Sequence, residues 1–513
     1  MSIWTKNAEY LEQVLPEYRY NPLIEALPEI MSKEETVACL TREPDHDERE
    51  RNLEAKYRLH CISRLLHDYY QPFSQHVAIQ EWISVCLRQG YRNRNPMEKE
   101  YALMANESYE AMREKRYPRP VPGYHPHASG FTIIGVSGVG KSTAVESILA
   151  QYPQVINHTE YRGKPFIAKQ LVWLKLDCPH DGSRGELCYR FFRGVDETIG
   201  TDYLDQYKRA RITVDSMLTL MTRIAQEYSL GLLVVDECQH LSLAKGGSDA
   251  MLNFFVTLVN TIGVPVVLIG TSKAKPLLQG SFRQARRASG HGDLSWNRMK
   301  KERRWVTFVE SLWEYQWTRN KVQLTPEMLD AIYEETQGII VLAVVLYVLL
   351  QEDAISSEKE TFDVKDIKRV SRERMTLVQP MLEALRKDDQ KEIDRYEDIT
   401  DILVEEVSAR LDSYQDTEPA EKNKIYGSAA LTRLRNEIIP FFIKLKKSPE
   451  VVDALIEQVY RETKSTDVAA VLANVYDRLR KLEASAEAAQ PNEKSSSKAD
   501  FQEIAGLVDN TAW

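Results

Sequence analysis

The chain has 513 residues, 43% of them hydrophobic and 28% charged, and a formal net charge of −9. That length exceeds what a single hydrophobic core supports, so about three domains are expected. The acidic balance excludes a molecule-wide field attracting nucleic acid, and leaves any such contact to a local basic surface.

The six cysteines (Cys39, Cys61, Cys86, Cys178, Cys188, Cys238) form no C-x-x-C pair. They read as buried thiols in a reducing compartment, not as a disulfide framework or a zinc site. His60, His67 and His76 lie nearest one another among the histidines, without ligand spacing. The start, Met1-Ser2-Ile3-Trp4-Thr5-Lys6, lacks the charged and apolar regions of a secretory signal. The longest apolar run, Ile339 to Leu350, is twelve residues, too short to cross a bilayer. A cytoplasmic protein with no membrane association is expected.

Residues 1–115 read as mostly helical; Ile79, Ile83, Cys86 and Leu87 share one helix face. Pro118, Pro120, Pro122 and Pro126 with Gly123 mark a linker over 116–129. From residue 130 the pattern alternates strand and helix, which implies a parallel sheet. Strands are expected at Phe131–Ile134, Leu171–Leu176, Leu232–Val235, Val264–Ile269 and Leu312–Trp317, with helices near 142–151, 214–229, 248–261 and 275–288. Thr325-Pro326-Glu327 opens a further helix, with Thr as N-cap and Pro at the first position. Helical sequence then continues through 321–388. Residues 389–483 are helical and charge-rich, and 484–513 form a low-complexity linker and tail.

Chemistry concentrates in 130–320. Gly135-Val136-Ser137-Gly138-Val139-Gly140-Lys141-Ser142-Thr143 matches G-x-x-x-x-G-K-[ST] (Walker A), between an expected strand and an expected helix. Backbone N–H groups and the helix dipole would cradle phosphates, Lys141 would add a positive charge, and the Ser142 hydroxyl would hold Mg²⁺. Leu232-Leu233-Val234-Val235-Asp236-Glu237 is a buried strand ending in two acids (Walker B). Asp236 would support Mg²⁺ and Glu237 would activate the attacking water. The chain is therefore expected to bind ATP with Mg²⁺ and to hydrolyse it.

Thr271 follows the next strand, where a γ-phosphate sensor belongs, although it is equally placed to cap a helix. Arg283, Arg286 and Arg287 follow it; Arg286 and Arg287 are the candidates for an arginine reaching into a neighbour's site. The lid opening Thr336-Gln337-Gly338-Ile339-Ile340 holds no arginine. Between 283 and 304 eight Lys or Arg face only Asp293 and Glu302, compatible with nucleic-acid phosphate or with a solvated loop.

With these residues placed, the chain resembles the TnsC family of AAA+ transposition regulators. The resemblance runs over roughly residues 18 to 400 and includes Tyr20-Asn21-Pro22-Leu23-Ile24-Glu25, Arg94-Asn95-Pro96 and Tyr152-Pro153-Gln154-Val155-Ile156. It continues in Gly231-Leu232-Leu233-Val234-Val235-Asp236-Glu237-Cys238-Gln239-His240-Leu241, Gly263-Val264-Pro265-Val266-Val267-Leu268-Ile269-Gly270-Thr271 and Pro380-Met381-Leu382-Glu383-Ala384-Leu385-Arg386. The last hundred residues look diverged.

The resemblance implies an α/β, AAA+ P-loop NTPase fold with a five-stranded parallel sheet over 130–320 and a helical lid over 321–388, flanked by helical N- and C-terminal regions. It implies a bacterial protein that oligomerises as a ring or filament on double-stranded DNA when ATP is bound. Such a protein bridges a TnsD/TniQ-type target selector, expected at 1–115, to the TnsA and TnsB transposase subunits, expected at 389–483, and is reset by hydrolysis. It also suggests DNA contacts from Arg162, Lys164, Lys169 and Arg184, and an adenine pocket bordered by Arg92, Asn93 and Arg94. Two other functions fit the motifs. One is an initiator or helicase-loading ATPase, which often ends in a winged helix; the other is a STAND-type signalling ATPase without DNA binding.

Overall fold

The computed structural model describes residues 4–114, 119, 121, 130–210, 212–243, 264–275, 292–393, 395–396, 399–413, 438, 442, 449–463 and 468–488. These fall into two compact units, 1–414 and 415–513.

Among the described residues, eight strands build two sheets. The larger contains β2 (Phe131–Gly135), β5 (Trp173–Asp177), β6 (Leu232–Asp236), β7 (Val266–Gly270) and β8 (Asp293–Trp296). All its neighbours are parallel, in the order β5-β6-β7-β2-β8. Its three central strands, β6, β7 and β2, are buried on both faces, as the middle of a sheet covered by helices on both sides must be. Leu233, Val235, Val266 and Leu268 pack to one side with helix residues Phe191, Phe192, Met221 and Ile224. Leu232, Val234, Val267 and Ile269 point to the other, against Ile83, Leu87, Val145 and Ile148. Successive strand residues thus serve opposite layers.

The helices up to the end of the sheet include α1 (Lys33–Leu40), α2 (Ala55–His67), α3 (Ser74–Arg92), α4 (Lys99–Arg113), α5 (Lys141–Leu149), α6 (Arg184–Val195) and α7 (Val214–Glu227). After the sheet come α8 (Arg303–Trp313), α9 (Pro326–Thr336), α10 (Ile340–Ser356), α11 (Val364–Arg374), α12 (Gln379–Arg386) and α13 (Ile399–Ser413). The second unit contributes α14 (Pro449–Thr463) and α15 (Val468–Ala488), which bury Val452, Ile456, Val459, Val471 and Val475 together with Ile438 and Phe442.

The five parallel strands are present, but the fifth is not where the sequence placed it. Leu312–Trp317 closes α8 and runs on as irregular chain, and Asp293–Trp296 is the edge strand. Trp305, Phe308, Val309, Leu312 and Trp313 are buried at i, i+3, i+4, i+7 and i+8. That is a helical stripe, which outweighs the short aromatic alternation after it. The expected strand Leu171–Leu176 also divides at Val172. Its first residue ends β4 (Lys164–Leu171), which pairs antiparallel with β3 (Val155–Tyr161); β1 (Thr5–Asn7) completes this second, three-stranded sheet. The helices expected near 248–261 and 275–288 lie outside the described residues.

The N-terminal chain is shared between two cores. Leu23, Ile24 and Leu27 with α3 cover the sheet, whereas Leu59, Ile62 and Leu65 of α2 join the helical block formed by α8 to α12. That block continues through Leu403, Val407 and Leu411 of α13, past the boundary at 388 expected from the sequence. No single described helix is long and apolar enough to cross a membrane; α10, whose first eleven residues belong to the apolar run, is buried in the block.

Candidate active site

The carboxyl ends of β2, β6 and β7 are neighbours, and each carries one element of the site. Gly135 closes β2. A Cβ there would lie 1.9 Å from the Trp296 carbonyl oxygen of β8, so the strand pair requires glycine. The loop then turns through Gly138 (φ 76°) and Gly140 (φ 90°), left-handed conformations that glycine adopts without strain. Gly140 is the N-cap of α5, and space beside it is open to 4 Å. Lys141 is buried, with Nζ donating to the carbonyl oxygens of Val136 at 2.8 Å and Gly135 at 3.2 Å. Ser142 and Thr143 occupy the first turn of α5, whose exposed N–H groups suit an anion.

Asp236 ends β6 and is buried. One carboxylate oxygen, Oδ1, accepts from the Glu237 N–H at 2.9 Å; Oδ2 lies 3.1 Å from the Lys175 ammonium. Glu237 has φ 54°, a costly value for a residue with a Cβ. Its carboxylate accepts from Gln239 Nε2, and Gln239 Oε1 accepts from the Thr271 N–H at 3.1 Å. Glu237, Gln239 and Thr271 therefore form one chain linking the ends of β6 and β7. Gly270 makes room for it: a Cβ would stand 2.8 Å from Gln239 Oε1 and 2.6 Å from Cys238 Sγ. Sequence reasoning missed Gln239, although an amide two residues after the acidic pair was visible.

Lys175 was also missed. Its ammonium lies 2.9 Å from Glu146, 3.1 Å from Asp177 and 3.1 Å from Asp236. Burial opposes its charge, but Asp236, Asp177 and Glu146 more than offset that and hold its pKa above the ordinary lysine value. Burial pushes the nearby Cys178 thiol up to about 12, which makes it a poor nucleophile.

Beside the phosphate loop lies a cavity of about 380 Å³. Val139, Gly140 and Thr143 form one wall, and Ile340, Val341 and Val344 of α10 another. The third comes from Tyr69, Tyr70 and Phe73 in the segment joining α2 to α3 and from His76 in the first turn of α3. The His76 imidazole stacks edge-on to Trp296 with centroids 5.0 Å apart, and its Nδ1 accepts from the Phe73 N–H at 2.8 Å. Burial lowers its pKa to about 4 despite that backbone bond.

Arg94 does not border this cavity. It is buried against Tyr91 and donates to the Gly90 and Leu230 carbonyls. Leu230 precedes the amino end of β6, about 20 Å of strand from Asp236 at roughly 3.3 Å per residue. Arg92 and Asn93 end the same helix α3. Arg94 is therefore a tie between α3 and the amino end of β6, opposite the phosphate loop, a correction to the sequence reading.

Three of the four expected DNA-contacting residues share the β3–β4 hairpin. Arg162 (φ 50°) and Gly163 (φ 75°) form its two-residue turn, which suits the strand twist. The Arg162 guanidinium stacks over Tyr20 at 4.4 Å and lies 3.3 Å from buried Glu25. Lys164 is exposed, and Lys169 Nζ donates to the Ile199 carbonyl at 3.3 Å. Arg184 lies elsewhere, as the first residue of α6. Arg283, Arg286 and Arg287 fall outside the described residues.

The donor set suits a magnesium–triphosphate. Ser142 and Asp236 offer hard oxygen ligands, and the loop offers N–H groups and an ammonium to phosphate. Among the described residues no three His, Cys, Asp or Glu side chains form a metal cluster. A magnesium ion shared with phosphates needs none.

A family model described as an AAA domain matches residues 125–278. No curated protein matches the chain. Among solved structures, a Walker-type ATPase of Pyrococcus abyssi is similar at 13% identity and TM-score 0.31, over 58% of this chain and 78% of that one. The Aeropyrum pernix ORC1 protein in complex with DNA is similar at 14% identity and TM-score 0.32, over 62% and 82%. AMPPCP-bound DnaA from Aquifex aeolicus is similar at 12% and TM-score 0.24, over 82% and 96%. Likenesses this distant carry no functional argument. The matched segment and the strand order agree with each other: the chain carries an AAA-type P-loop ATPase domain in an AAA+ fold.

Proposed function

We propose that this protein is a magnesium-dependent ATPase that assembles on duplex DNA when loaded with ATP and links a TnsD/TniQ-type target selector to a TnsA/TnsB transposase. The ATPase part rests above all on the Glu237–Gln239–Thr271 chain beside the phosphate loop. The transposition part rests on the sequence resemblance over residues 18 to 400.

In this reading the α5 N-terminus and Lys141 bind the phosphates, and the 380 Å³ cavity takes the adenine against Tyr69, Tyr70 and Phe73. Glu237, held by Gln239, orients a water and accepts its proton as the water attacks the γ-phosphate. Thr271, on the same hydrogen-bond chain, registers whether that phosphate is present. Ser142 and Asp236 would hold a magnesium ion, which would supply positive charge beside the transferring phosphate. Arg286 or Arg287 of an adjacent copy supplies the remaining positive charge, so ATP joins two subunits and hydrolysis loosens them.

The test is ATP turnover and electron-microscopic imaging with and without a duplex of about 60 base pairs, long enough for phosphate tracking over several helical turns. Assemblies on DNA with ATP or a non-hydrolysable analogue, and none with ADP, are expected. Glu237→Gln should trap them. Nucleotide-driven oligomers indifferent to DNA would overturn the DNA reading. A Lys141→Ala variant that still binds ATP would overturn the site.

A further inference from the structure

The paired positions Asp177 and Asp236 stand side by side at the ends of β5 and β6. Like charges facing each other across strands repel. Lys175, two residues earlier on the same face of β5, sends its ammonium to both, at 3.1 Å each. It also reaches Glu146, at 2.9 Å, on α5. Glu146 is four residues beyond Ser142, hence on the same side of that helix. One partly buried cation therefore spans the two elements that carry Ser142 and Asp236. Both Asp236 oxygens are oriented by these contacts: Oδ1 takes the Glu237 N–H and Oδ2 lies 3.1 Å from the Lys175 ammonium.

We propose that Lys175 is a positioning residue for the ATPase site: through its bridge from Glu146 to Asp236 it holds the phosphate-loop helix and the Walker B carboxylate in register, and so sets how strongly magnesium tightens nucleotide binding. The inference rests on the magnesium–ATPase reading above. A side chain serving only the core would be replaceable by one of equal volume. Here the ammonium is the feature in use, since three carboxylates converge on it while its side chain is only 15% exposed. Groups behind a metal ligand typically change metal affinity about 10- to 100-fold when removed.

The experiment measures the affinity of full-length protein for a fluorescent ATP analogue in excess magnesium and in EDTA; the ratio is the magnesium factor. Lys175→Met should lower that factor at least about tenfold while the affinity in EDTA stays near that of the unaltered protein, because Lys141 and the loop are intact. Lys175→Arg should restore most of it. Combined with Asp236→Asn, Lys175→Met should add little, since both act through one carboxylate.

Glu146→Gln, at a 40% exposed side chain, tests the helix arm even if Lys175→Met folds poorly, and should lower the factor about threefold. An unchanged factor in Lys175→Met or Glu146→Gln would overturn the proposal, as would equal losses in magnesium and EDTA. A protein without any magnesium factor before substitution would instead remove the ATPase reading on which the proposal stands.

Discussion

Glu237 holds an unfavourable backbone angle, φ 54°, between an aspartate that binds its N–H and a glutamine that binds its carboxylate. Such conformations persist where surrounding bonds over-determine them. Gln239 ties this carboxylate to the end of β7, so its loss should act on turnover and not on binding. We expect Gln239→Ala to reduce kcat by about 10- to 100-fold with little change in KM, measured by steady-state phosphate release. A raised KM with unchanged kcat would assign Gln239 to binding.

His76 makes a second residue-scale case. Its ring is buried between Tyr70 and Trp296 and accepts a backbone bond as the neutral form. The folded pKa is depressed to about 4 from 6.5, so the unfolded chain takes up the proton first as pH falls. The stability His76 contributes is complete above pH 6.5 and is lost between there and about pH 4. His76→Gln keeps an acceptor for the Phe73 N–H without titrating. Denaturant melts at pH 7.5 and 4.5 should show the difference between the two proteins shrinking by about 2.5 kcal/mol. A difference independent of pH would mean that the imidazole is not buried neutral.

At the scale of elements, what the sequence made legible was what local chemistry specifies. The glycine loop, the acids after Val235 and the Thr-Pro-Glu helix start each carry their reason within a few residues: Thr325 does accept the Met328 N–H, and Pro326 does open α9. The second sheet depends instead on a pairing between residues 5–7 and 155–157, far apart in the chain, and three residues of β1 carry no periodic signal. Arg94 and Lys175 were illegible for the same reason, since their partners lie 136 and 61 residues away at the Leu230 carbonyl and Asp236. The turn between α9 and α10 shows how such a distant contact constrains a single residue. Gly338 has φ 74°, and a Cβ there would meet the Met299 carbonyl oxygen at 2.0 Å. Gly338→Ala should cost about 3 kcal/mol, combining left-handed strain with a clash against backbone. A melting temperature within a degree of the unaltered protein would show that this turn can open without cost.

Across the whole molecule the N-terminal chain enters both the sheet core through α3 and the helical block through α2, and the segment between them walls the cavity beside the phosphate loop. A ligand in that cavity touches both cores at once. Binding to the folded state alone stabilises it in proportion to the logarithm of ligand concentration, and here the gain should appear in sheet and helical block together.

The charge balance sets the last expectation. A protein of net charge −9 is repelled by duplex DNA as a whole, so binding must come from basic residues brought close together, and assembly multiplies them. In the hairpin, Arg162 is already oriented by Tyr20 and Glu25, and Lys164 is exposed beside it. If each meets one phosphate per subunit, Arg162→Ala and Lys164→Ala should each flatten the slope of log affinity against log salt by about one, alike for every duplex sequence. Filter binding or anisotropy with a non-hydrolysable ATP analogue over a salt series measures this. Unchanged slopes in both variants would move the DNA surface off the hairpin, and a change confined to one DNA sequence would mean that bases, not phosphates, are being read.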